Sequence, residues 1–263
     1  MSSNTFTDQI GRTIIVKSTP KRIISVVPSQ TELLFDLGLN TEIIGITKFC
    51  VHPEDKVSLI PKIGGTKSLN IQKIRELKPD LIIANKEENQ KDQIEQLMQE
   101  FPVWVSDIHN LHESMKMIED VGELVDRQQQ AKTLVKDIVS SFDTVSSLPH
   151  PLHVAYFIWK DPYMVAAQNT FINTMLIAAG WQNAFQNFRY PVISEKDIIT
   201  ANPEVIFLSS EPYPFKEKHI AEFKLLCPAA KVIVVDGELF SWYGSRLKYT
   251  ADYLKKLQLH VNQ

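Results

Sequence analysis

Short apolar runs alternate along this chain with segments whose apolar positions recur at helical spacing. In the first half Arg22-Ile23-Ile24-Ser25-Val26-Val27, Glu42 to Ile46, Leu81 to Ala84 and Val103-Trp104-Val105 read as strands. A helix over Glu32 to Leu37 follows the first of them and is closed by Gly38, because glycine tolerates the left-handed backbone that ends a helix. Thr7 to Val16 reads as a hairpin with its turn near Gly11, and Gly64-Gly65 as a second turn. The second half replays the order with His153 to Ile158, Val205 to Leu208 and Val232 to Asp236 as strands. There, Thr174 to Trp181 aligns position for position with Glu32 to Leu39, glycine included. Strands that alternate with helices imply a mostly parallel sheet in each half.

One segment occurs in both halves. Asn70 to Ile83 and Ser194 to Phe207 each carry an N-cap residue, helically spaced apolar positions, a proline, an acid and an apolar run. Cap and proline stand nine positions apart in both copies. Two related α/β lobes follow, with a ligand expected between them. From Glu113 to Val145 there is no proline and a single glycine, Gly122, while Ile118, Val121, Val125, Ala131, Leu134, Ile138 and Phe142 keep amphipathic spacing. This predicts one linking backbone helix about 50 Å long. The expected organisation is an N-terminal lobe over 1–112, the linking helix over 113–148 and a C-terminal lobe over 149–263.

The chain has 263 residues, 44% hydrophobic and 22% charged, which suffices for a sizeable core or two modest ones. A net charge of -3 gives no footprint for nucleic acid or an anionic membrane. Cys50 and Cys227, one in each half, read as free thiols, and a monomer is expected. Met1 to Phe6 lacks the basic-then-apolar layout of a signal peptide, which predicts a cytoplasmic protein if the chain as given is native.

Asp8, Gly11-Arg12, Arg22 to Ser29 with Thr31 to Leu34, Leu77-Lys78-Pro79-Asp80-Leu81-Ile82 and the connecting helix resemble class III substrate-binding proteins. These are the helical-backbone receptors for cobalamin, iron-siderophores, haem and some metal ions. Lys48 to Pro53, Ala84 to Asn89, Ser210 to Phe215 and Ser241 to Arg246 are most similar to cobalamin-binding members. The resemblance implies an extracytoplasmic protein that serves an ABC transporter. Members that dock on a permease carry a glutamate two positions after the N-cap of the repeated helix in each lobe. Gln72 and Lys196 stand there instead, which counts against a permease partner. Thr66 and Asn85 replace first-lobe aromatic residues common in cobalamin receptors.

Ligands of open α/β sheets bind beyond the carboxyl ends of the strands. Those ends supply Phe49, Thr66, Lys67, Asn85, Lys86 and Glu87 in the first lobe. The second supplies Trp159, Arg189, Tyr190, Glu211, Tyr213, Trp242, Tyr243 and Arg246. An aromatic second lobe facing a polar first one suits a large flat ligand fringed with amides, as a corrinoid is. Trp104 and Trp181 read as core, and Lys86-Glu87-Glu88 most simply as a solvated charge run.

No metal site is expected: His52, His219 and His260 stand alone, and His109 with His112 and His150 with His153 lack a recognisable third ligand. Cys50 and His52 lack an orienting group for nucleophilic catalysis. The leading expectation is a non-catalytic, cofactor-free corrinoid-binding protein for uptake or salvage. Arg189, Arg246, Lys67 and Lys86 keep a ferric siderophore as an alternative, and Tyr213 and Tyr243 keep haem. A cytosolic cofactor-salvage enzyme or chaperone is the reading from another class.

Overall fold

The computed structural model describes residues 4–146 and 150–262, so the expected lobe boundary at 148/149 lies outside the described residues. The chain forms two compact α/β units. The first comprises residues up to 108, 112–136 and 243–246, and the second 109–111, 137–242 and the residues from 247 onward.

In the first unit β1 (Asn4–Thr7) and β2 (Thr13–Val16) form the expected hairpin, with Gly11 at φ +82° in its turn. Then come β3 (Ile23–Ser25), α1 (Pro28–Asp36), β4 (Ile43–Ile46), α2 (Glu54–Val57), β5 (Gly64–Gly65), β6 (Ser68–Leu69) and α3 (Ile71–Leu77). They are followed by β7 (Leu81–Asn85), α4 (Lys91–Met98), β8 (Val103–Ser106) and α5 (Leu111–Leu124), and by α6 (Gln128–Phe142), whose residues from 137 onward count with the second unit. The main sheet is parallel in the order β4-β3-β7-β8. Ile24, Ile82, Ala84, Val103 and Val105 from its strands pack with Ile74 of α3 and Ile94 and Leu97 of α4.

The second unit holds β9 (His153–Trp159), β10 (Met164–Val165), α7 (Phe171–Ala178), β11 (Gln182–Asn183), α8 (Glu195–Ala201) and β12 (Val205–Ser209). After these come α9 (Ile220–Leu226), β13 (Lys231–Val235), α10 (Glu238–Ser241) and α11 (Leu247–Val261). β9, β12 and β13 run parallel in that order, with short β11 and antiparallel β10 on the outer edge of β9. Phe157, Phe215 and Phe223 anchor its core.

The internal repeat has a physical basis in each unit. α3 and α8 are both seven residues long; Asn70 Oδ1 accepts from the Lys73 amide, and Ser194 Oγ from that of Asp197. Both end on a left-handed residue before the proline, Lys78 at φ 47° and Asn202 at φ 41°. The acid after the proline ties down the start of the neighbouring strand. Asp80 accepts from the Lys21 and Arg22 amides at 2.8 and 2.9 Å, and Glu204 from the His153 amide at 2.9 Å. Gly38 and Gly180 close α1 and α7 in the same way, with Leu39 bonding back to Leu34 O and Trp181 to Leu176 O.

The linking segment departs from expectation. It is two helices, α5 and α6, rather than one helix over 113–145. Asp126, at φ 59°, ends α5: its amide donates to Glu123 O and that of Arg127 to Gly122 O, the bond pair of a Schellman closure. Aspartate tolerates the left-handed region, so no glycine or proline marks the break. Gly122 lets the helices meet there, since a Cβ on it would stand 2.3 Å from the Ala131 Cβ. Gly122→Ala is therefore expected to lower unfolding stability by roughly 1–3 kcal/mol through overpacking, read by denaturant titration. Among the described residues no helix is long and apolar enough to cross a membrane.

Candidate ligand-binding site

At the carboxyl end of the first unit's sheet, buried Asn85 builds the loop after β7. Its Oδ1 accepts from the amides of Glu87 and Glu88 at 2.8 and 2.9 Å, and its Nδ2 donates to Ser106 Oγ at 2.9 Å. Asn85 is 2% exposed, so its expected ligand contact is replaced by a loop-building role. Lys67 donates to Glu87 O at 2.5 Å, and exposed Lys86 pairs with Asp107 at 2.5 Å. Half-buried Thr66 receives Asn89 Nδ2 on its carbonyl at 3.1 Å. Phe49 is half exposed, with Lys48 Nζ 5.1 Å from its ring centre and Gly65 beside it. Below this face Cys50 Sγ lies 3.2 Å from the hydroxyls of both Thr31 and Thr47. Burial pushes that thiol up, which disfavours the thiolate a nucleophile needs.

The second unit presents aromatic surface at the same end of its sheet. Trp159, the last residue of β9, is 40% exposed, and its ring meets Tyr213 edge-on at 5.6 Å. Met164 is paired with Trp159 on one side and with Val192 on the other, so the three side chains form one row on one face. Phe188 and Val192 are largely exposed. Arg189, at φ 64°, bonds through its backbone to Gln168 O and the Ala167 amide, both at 2.8 Å. Its guanidinium lies 5.5 Å from the Tyr190 ring centre and 3.0 Å from His109 Nδ1. The turn after Trp159 is clamped by Glu222, whose carboxylate accepts from Lys160 and the Tyr163 hydroxyl.

Three expected wall residues have other duties. Trp242 and Tyr243 do not project from their loop; they are 8% and 6% exposed. The Trp242 indole donates to Glu211 Oε1 at 3.0 Å, and the Tyr243 carbonyl accepts from Ser114 at 3.1 Å. The small residue beside them serves close approach, since a Cβ on Gly244 would stand 2.8 Å from the Ser29 carbonyl oxygen. Arg246 braces its own unit through a bidentate pair with Glu32, both bonds 2.9 Å.

The accessible wall is thus Trp159 with Tyr213, extended by Met164 and Val192, and flanked by Arg189 and Tyr190. Sequence reasoning missed the Met164–Val192 row and the Glu222 clamp. The alternation Phe188, Tyr190, Val192 is a strand-like signal for the row; the clamp joins positions too distant in sequence to leave one. Among the described residues no three His, Cys, Asp or Glu side chains gather as a metal-ligand set.

A family model for periplasmic binding proteins matches residues 23–230. The chain belongs to this family. It is accordingly a non-catalytic binding protein. It is 28% identical over 214 residues to the uncharacterized ABC transporter substrate-binding lipoprotein YvrC of Bacillus subtilis, a match covering 77% of this chain and 68% of that one. It is 24% identical over 246 residues to a vitamin B12-binding protein of Pectobacterium carotovorum, covering 89% and 87%. Its fold is similar to that of the periplasmic haem-binding protein BhuT in complex with two haems. There the TM-score is 0.81 at 23% identity, over 92% of this chain and 99% of that one.

Proposed function

We propose that this protein binds a corrinoid as cargo, on the carboxyl-end face of the second unit's sheet. The observation that carries the reading is the braced aromatic row of exposed Trp159 against half-buried Tyr213, continued by half-buried Met164 and exposed Val192. A flat macrocycle gains most from such a surface, because stacked rings exclude water over a large area while losing little side-chain freedom. The vitamin B12-binding relative, aligned over most of both chains, supports the same ligand class. An extracytoplasmic setting fits the family and the lipoprotein relative. Coupling to a permease through paired glutamates does not fit, because exposed Gln72 and Lys196 occupy the second positions of α3 and α8.

The test is the absorbance spectrum of purified protein incubated separately with cobinamide, cobalamin, haem and a ferric siderophore, then desalted. Retention of corrinoid bands at about one per chain is expected, with a negative heat-capacity change of binding as apolar surface is buried. Retention of haem or siderophore with no corrinoid would overturn the reading.

A further inference from the structure

Glu211 stands at the carboxyl end of β12, two residues before Tyr213, and its two carboxyl oxygens are not equivalent. Oε1 accepts from Ser241 Oγ at 2.9 Å and from Trp242 Nε1 at 3.0 Å. Oε2 accepts from none of the described residues and is not sealed from solvent. The seat of this carboxyl is tight. A Cβ on Gly237 would stand 2.6 Å from Glu211 Cγ and 2.5 Å from Ser209 Oγ, so that position holds hydrogen alone. The backbone is held as well, since Ser209 Oγ donates to Glu211 O at 2.5 Å and receives the Tyr156 hydroxyl at 3.1 Å. A carboxyl fixed through one oxygen holds the other in one place, with its remaining lone pairs free to take a donor from a ligand.

We infer that Glu211 is a specificity-determining residue: its outer oxygen accepts a hydrogen bond from a side-chain carboxamide of the corrinoid and turns away a ligand that carries a carboxylate there. This rests on the corrinoid reading above and names the substrate class within it, neutral amide-fringed corrinoids over their acid derivatives. An amide brings an N–H to the acceptor. A carboxylate brings only lone pairs and a like charge, leaving a half-buried acceptor without its donor. Asp236 and Glu238 add negative charge near Glu211 and strengthen the rejection. Burial, with those neighbours, pushes the Glu211 carboxyl up, although Ser241 and Trp242 favour its ionised form.

The experiment compares cobalamin with each of its monocarboxylic acids, in which one peripheral propionamide is hydrolysed. Affinities are measured by calorimetry at neutral pH for the wild type, Glu211→Gln and Glu211→Asp. The wild type is expected to bind at least one acid isomer about tenfold or more weakly than the amide. Glu211→Gln, whose amide can donate to a carboxylate, should narrow that ratio to about twofold. Glu211→Asp keeps the charge and should keep the discrimination.

Equal wild-type affinity for the amide and all its acids overturns the inference without any variant, as does an unchanged ratio in folded Glu211→Gln. If Glu211→Gln fails to fold, loss of the wild-type ratio in Glu211→Asp, which keeps the negative charge, overturns it too. Failure of every corrinoid to bind is a different result, and would instead remove the proposed function.

Discussion

Trp159→Ala is expected to weaken corrinoid binding by roughly 2–4 kcal/mol, the range of a central aromatic hot spot. Unfolding stability should move by no more than about 1 kcal/mol, because the ring is 40% exposed and its described ring contact is the edge of Tyr213. Trp242→Ala should act chiefly on stability instead. That ring is 8% exposed and its indole satisfies the Glu211 carboxyl, so truncation leaves both a cavity and a weakened acceptor. The expected cost is about 3–5 kcal/mol of folding stability. Affinity by calorimetry and stability by denaturant titration, measured on both variants, separate a ligand wall from a core residue. A Trp159→Ala protein with unchanged affinity would take this row out of the site.

Arg246→Met should be among the most damaging single substitutions, at roughly 3–5 kcal/mol near neutral pH. It leaves a buried carboxylate without its counter-ion. Glu32 and Arg246 are only 10% and 12% exposed and share two bonds of 2.9 Å. Burial raises the Glu32 carboxyl above its ordinary value of 4.5 even beside the guanidinium. Removing the guanidinium raises it further. The native variant then holds its proton more tightly than the unfolded chain does, so stability falls as pH rises through the raised folded value. The deficit should shrink as the solution is acidified from neutral pH, and close only below about pH 4.5, where the unfolded chain's Glu32 is protonated as well. The double variant Glu32→Leu with Arg246→Met should recover much of the loss, because the desolvation cost of the pair disappears with it. Denaturant titrations of the three variants between pH 4 and 8 check the sign, and a deficit that grows on acidification would contradict it.

What was legible along the chain was whatever rests on short-range backbone chemistry. Asn70 and Ser194 cap their helices by bonding amides three residues on, and proline stops both helices. Gly38 and Gly180 take the left-handed backbone that few other residues accept. Apolar runs set the strands, and alternation of strand and helix set their parallel order, so two α/β units followed from local rules. The break at Asp126 escaped because it depends on a Schellman closure without glycine and on Gly122 admitting Ala131 from the next helix.

The site divided along the same line. That Trp159 ends one strand and that Glu211 and Tyr213 follow another, at the carboxyl side of the sheet, was visible in one dimension. Which aromatic rings face water was not, because a ring beside glycine and serine can point either way. Long-range partners settle the direction: Glu211 draws Trp242 inward across 31 positions, and Glu32 draws Arg246 across 214. A side chain's exposure is set by whichever atoms fold against it, and such pairings between distant segments exist only once the chain has closed on itself.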